Sequence, residues 1–164
     1  MPFFPAFPEH VVKGDIFQWD GVDLVRIAKG SADQVPVYGS DGMLNMLTVV
    51  AGVYTPTLSN VANLDASTAF ECQYLRVGAS VVVSGKVDVD PTLTATSTQL
   101  GITIPVASNF GTAQDLGGAA AALAIAGMSA AIFADTTNDR AQMQFISTDI
   151  NNNSMYFTFM YQIL

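Results

Sequence analysis

Residues 53–110, VYTPTLSNVANLDASTAFECQYLRVGASVVVSGKVDVDPTLTATSTQLGITIPVASNF, hold few charged side chains and no histidine. They are rich in the β-branched and aromatic residues that suit a pleated, half-buried surface. Reading outward from this stretch, apolar alternation predicts strands at about 44–54, 68–77, 79–90, 98–105, 129–135, 140–147 and 154–163. Turn signals separate them at Gly78, Asp90-Pro91, Gly117-Gly118, Asn138-Asp139 and Asn151-Asn152-Asn153. Seven short strands at this spacing make an all-β domain, an antiparallel β-sandwich of jelly-roll-like form or a barrel.

The closing strand alternates most plainly. Met155, Phe157, Phe159, Tyr161 and Ile163 share one face, and Tyr156, Thr158, Met160, Gln162 and Leu164 share the other. Both faces carry apolar residues, so both are expected to be covered, one by the core and the other by a second subunit. Residues 117–127, GGAAAALAIAG, have helical propensity in their alanines but no amphipathic stripe. A short helix, or a small-residue packing segment near a symmetry axis, is expected there.

The first 42 residues read as a separate unit, which divides the chain into 1–42 and 43–164. In residues 1–10, Pro2, Pro5 and Pro8 alternate with Phe3, Phe4 and Phe7, which makes an extended arm that cannot pair as a central strand. Its exposed rings need a surface to dock on. Asp15–Trp19 and Val22–Ala28, joined at Asp20-Gly21, form a small β-hairpin.

Composition limits the function. The chain has 164 residues, enough for one domain plus an extension. Charged residues make up 12%, about half the usual share, so the surface is either neutral and polar or covered by partners. Net charge is −8 with six Lys and Arg, which argues against nucleic-acid binding through phosphate neutralisation. The start MPFFPAFPEH lacks a basic segment followed by a long apolar run, and the apolar run Ala119–Gly127 is far short of the ~20 residues of a membrane span. The expectation is a soluble protein made in the cytoplasm, with no membrane partner. Cys72, the single cysteine, reads as a buried thiol within an alternating strand.

No catalytic set assembles from these residues. The one histidine, His10, lies at the end of the proline-rich arm, a poor base for a nucleophilic triad. One His and one Cys cannot build a zinc site. Asp88 and Asp90 share a strand face and could hold Ca²⁺, yet like charges at a strand end more commonly form a solvated rim that discourages edge pairing. Asp135, Asp139 and Asp149 sit at predicted turns for backbone reasons. Neither a Walker pattern nor GxGxxG occurs, and no cofactor is implied. Trp19, Tyr38 and Tyr54 are candidates to stack on a sugar, while a lone tryptophan in a hairpin also serves as a packing anchor.

Two resemblances add to this reading. Tyr54-Thr55-Pro56-Thr57, Cys72-Gln73-Tyr74, the arm Val83-Ser84-Gly85-Lys86-Val87-Asp88-Val89-Asp90-Pro91, and Leu100-Gly101-Ile102 with Pro105 and Ala107-Ser108-Asn109-Phe110 together resemble a domain of tailed-bacteriophage virion proteins. Residues 14–42 resemble a short repeat found near the base of phage fibres, through Gly14-Asp15, Asp20-Gly21, Arg26-Ile27 with Gly30, Gln34-Val35 and Asp41-Gly42. That likeness departs at Met43-Leu44-Asn45-Met46, where the family often places a tryptophan. The resemblance implies a non-enzymatic structural protein on the outer capsid surface of the virion: a homotrimeric capsid decoration (cement) protein whose partners are itself and the major capsid protein. Phe3, Phe4, Phe7, Trp19, Tyr38, Tyr156 and Met160 are then the expected capsid and subunit contacts. The alternative it implies is a short tail or head fibre whose β-domain binds a host surface glycan. The short chain favours decoration, because a fibre needs more shaft than some thirty residues supply.

Overall fold

The computed structural model describes residues 10–164. The expected arm, with Phe3, Phe4 and Phe7, lies outside the described residues. The described chain is all-β: thirteen strands and one short 3-10 turn at Ala113–Asp115. It divides into two compact units, Met1–Val50 and Ala51–Leu164. The division falls inside a strand, beyond the 42/43 boundary read from the sequence.

In the first unit, β1 (Ile16–Trp19) and β2 (Leu24–Ile27) pair antiparallel, Ile16 opposite Ile27 and Trp19 opposite Leu24. The Asp20 carboxylate accepts the N–H groups of Val22 and Asp23, both at 2.8 Å. This Asx-type capture draws those two residues into the turn, so β2 starts at Leu24 rather than Val22. Beneath the hairpin, Asp15 is shielded from solvent and accepts bonds from Arg26 Nε (2.6 Å), Val12 N (2.8 Å) and Lys29 N (3.0 Å). The Arg26 guanidinium, helped by these amides, holds the Asp15 carboxyl down at about 2. A second hairpin, β3 (Gln34–Tyr38) with β4 (Leu44–Tyr54), escaped the sequence reading of strands up to residue 42. Gln18 joins the two hairpins, its Nε2 donating to Gly42 O and its Oε1 accepting from Leu44 N, each at 2.8 Å.

The second unit contains β5 (Leu58–Ala62), β6 (Leu64–Ala69), β7 (Cys72–Val77), β8 (Ser80–Pro91), β9 (Ser97–Ile102), β10 (Leu116–Ala122), β11 (Ser129–Asp135), β12 (Arg140–Ile146) and β13 (Asn153–Gln162). They form a curled antiparallel sheet in the order β7-β8-β13-β10-β11-β12-β9-β5. One edge of β8 serves two partners, β7 along Ser80–Ser84 and β6 along Val87–Pro91. Residues 64–77 are therefore one strand interrupted at Phe70-Glu71. Gly85 lies across from the interruption, and a Cβ there would overlap Cys72 Sγ. The Cys72 thiol is fully buried, as its place in the pattern predicts, and burial pushes its pKa up.

The curl closes at Asn63, the corner between β5 on one end of the sheet and β6 on the other. Asn63 adopts φ 54, a left-handed conformation that Asn tolerates better than most residues. Its amide nitrogen reaches Thr98 Oγ1 (2.7 Å), Leu93 O (3.0 Å) and Ser147 Oγ (3.2 Å), and its Oδ1 accepts from Thr92 Oγ1 (2.7 Å) and Leu93 N (2.9 Å). Thr98 and Ser147 are buried. The knot ties four segments, and each of its polar groups depends on the others for a partner.

Inside the curl, alternate residues of β8, β11, β12 and β13 meet in one core. Val81, Val83, Val87 and Val89 of β8 share it with Leu100, Ile102, Ile132 and Met143. Met155, Phe157, Phe159 and Tyr161 of β13 run through it, with Phe157 stacked on Phe159 at 5.7 Å and Tyr161 edge-on to Phe110.

Residues 117–127 are not helical. Residues 116–122 form β10, hydrogen-bonded on one edge to β11 and on the other to β13. Ladders on both edges outweigh the weak helical preference of alanine. Small side chains are also required for space, since a Cβ at Gly118 would overlap Phe159 and the Thr158 carbonyl.

Candidate interaction surfaces

The pleat that buries the aromatic face of β13 turns Tyr156, Thr158, Met160 and Gln162 outward. Within one chain this second face, which the sequence reading assigns to another subunit, stays open: Tyr156 is 50% exposed and Met160 60%. Register extends this face across the sheet. One row runs Leu75, Val82, Met160, Gly117, Phe133, Gln142, Gly101, each directly opposite the next on the neighbouring strand. The parallel row is Gln73, Ser84, Thr158, Ala119, Ala131, Gln144, Gln99. Neither row contains an ionisable side chain.

The ion pairs sit at the margins of this face. Lys86 pairs with Asp88 at 3.2 Å and lies 3.7 Å over the Phe70 ring. Asp88 also accepts from Ser154 Oγ at 2.6 Å. At the opposite margin Arg140 pairs with Asp135 at 2.8 Å, and its guanidinium covers Gly101. Burial opposes the charge on Asp135, but hydrogen bonds from Asn138 and Arg140 prevail and hold its carboxyl below the ordinary range.

Between these margins the surface is uneven, with apolar and uncharged polar side chains side by side. Val82, Met160, Gln162, Leu164 and Gly117 border a groove of about 480 Å³, with Ser80, Gln114 and the Asp115 carboxylate also in its lining. Gly117 is its floor, for a Cβ there would meet nothing within 4 Å. A second shallow hollow, bordered by Ala51, Val53, Leu75 and Val82, continues the face toward the end of β4. Tyr156 and Met160 were legible in the alternation of the closing strand. Leu75, Val77, Val82 and Gly117 were missed, because only strand order brings them beside Met160.

On the first unit, Trp19 ends β1 with 52% of its surface exposed and Tyr38 ends β3 with 74% exposed. Tyr54 departs from the expectation of an exposed aromatic. It packs against the core, edge-on to Tyr74 at 6.2 Å, and its buried hydroxyl has no hydrogen-bond partner among the described residues. Burial raises its pKa.

Three further carboxylates hold local structure. Asp139 Oδ1 accepts from Phe110 N, Asp115 caps the 3-10 turn through Gly111 N and Thr112 N, and Asp149 accepts from Asn151 and Asn153. Among the described residues no group of three or more His, Cys, Asp or Glu is placed to hold a metal ion. No described helix is long and apolar enough to cross a membrane. No family model, curated protein or solved structure matches this chain.

Proposed function

We propose that this protein is a structural component of a tailed-phage virion, a homotrimeric decoration protein that binds and stabilises the outer capsid surface. The observation that carries the reading is the charge-poor outer face of the large sheet. A chain of net charge −8 with 12% charged residues places its ion pairs around that face and none within its two central rows, a pattern suited to a buried interface. The resemblance of residues 14–42 and 53–110 to virion proteins supplies the setting. In this reading the sheet domain holds the copies together and the first unit, with Trp19, Tyr38 and the Phe3, Phe4 and Phe7 arm, meets the major capsid protein. Electron cryo-microscopy of particles carrying the chain tests it: three-fold density on the capsid exterior is expected, and absence from that surface overturns it.

A fibre tip that binds a host glycan draws on a specific observation, the exposure of Trp19 and Tyr38, since sugars stack on accessible rings. Purified protein that binds host cells, with binding abolished by Trp19→Ala, would favour this reading over decoration.

A further inference from the structure

We infer that the outer face of β7, β8, β13 and β10 is the self-association surface, with Met160 of one copy seated in the hollow over Gly117 of the next. This rests on the proposed self-assembly and assigns the surface that performs it.

Three observations select a second copy as the occupant. The first is charge. Copies each carrying −8 repel wherever their carboxylates meet, and the two central rows of this face contribute none, although Asp115 in the lining of the groove must stay at the edge of the contact. The second is area. Val53, Leu75, Val77, Val82, Tyr156, Met160 and Leu164 are all exposed on this side; at ~150–200 Å² per full side chain they present on the order of 600 Å², which with the small residues between them approaches the ~800 Å² per partner of a stable interface. The third is shape. Met160, 60% exposed, stands directly opposite Gly117 in the ladder, where an added Cβ would touch nothing. Each copy thus offers a flexible apolar knob beside a vacant notch. Knob and notch side by side on every copy make this face self-complementary, so copies can pack it together around a rotation axis.

The test is sedimentation velocity on the full chain and single variants. Met160→Lys places a charge on the knob and Gly117→Leu fills the notch; both positions are open to solvent, so far-ultraviolet circular dichroism should not change. The wild type is expected to sediment as an oligomer and each variant as the 17.3 kDa chain. Leu123→Lys, in the turn beyond β10, should leave the oligomer intact. As a positive readout, a tagged Gly117→Cys chain mixed with an untagged Met160→Cys chain should form the mixed disulfide in several-fold excess over either self-disulfide. A wild-type oligomer that survives both substitutions overturns this assignment and leaves self-assembly standing. A wild type that stays at 17.3 kDa through high micromolar concentration overturns both.

Discussion

The two faces of β13 are built from similar residues and meet opposite environments. Met155, Phe157, Phe159 and Tyr161 are almost wholly buried, whereas Tyr156 and Met160, one position out of phase, remain half or more exposed. Hydrophobicity alone does not decide burial in this sheet. The direction of curl does, because it gives one face a core and leaves the other to whatever approaches from outside.

Substitution along β13 and its neighbours tests that contrast, starting with the largest effect. Phe159→Ala removes a ring from the middle of the core and should cost ~3–5 kcal/mol, enough to unfold the second unit or drop its melting temperature sharply in calorimetry. The two sheet glycines divide in the same way. Gly85→Ala sets a methyl group against Cys72 Sγ and should cost ~1–3 kcal/mol, while Gly117→Ala should change the stability of the isolated chain by less than ~0.5 kcal/mol. Equal effects at both glycines would erase the distinction between the faces.

The closing knot is next in size. Ser147→Ala leaves Asn63 and the Leu93 carbonyl short of partners, at a cost of ~1–3 kcal/mol by urea denaturation. Combining it with Asn63→Ala should cost less than the sum of the single changes, because both belong to one network.

Tyr161 extends the contrast to pH. Burial raises its hydroxyl to about 12 from an ordinary 10 while it donates to Val106 O at 2.7 Å. The unfolded chain therefore releases this proton first. The contribution is complete below pH 10 and is lost as pH rises from about 10 toward 12. Alkaline unfolding of Tyr161→Phe should lack that component. The smallest effect belongs to the outer face, where Met160→Ala in a dissociated chain should alter stability by less than ~0.5 kcal/mol.

The legible and illegible parts of the sequence differ for physical reasons. Strands β4 and β11 match the predicted 44–54 and 129–135 residue for residue, because each is an apolar stretch that contains β-branched and aromatic residues. β10 was hidden because alanine and glycine carry no strand signal of their own; neighbours on both sides impose its conformation. β5, LSNVA, is too polar and short to stand out, and it is held by pairing with β9 and by the Asn63 corner. The same limit governs the candidate surface. Tyr156 and Met160 announced themselves by period, but Val82 lies within the run Val81-Val82-Val83, and only pairing with β13 shows which valine points outward. Periodicity reports a face; it does not report who stands next to whom.

The place of β13 also governs how the fold can be reached. It is the strand between β8 and β10, yet Ser154 lies 68 positions along the chain from Lys86, whose edge it covers. During synthesis β8 waits with an unpaired edge and a row of bare valines until those distant residues emerge. Pairing at such separation is slow to nucleate and leaves intermediates prone to aggregate. A ribosome stalled before residue 153 should hold a sheet without its middle, and protease protection of stalled chains should appear only once β13 has cleared the exit tunnel.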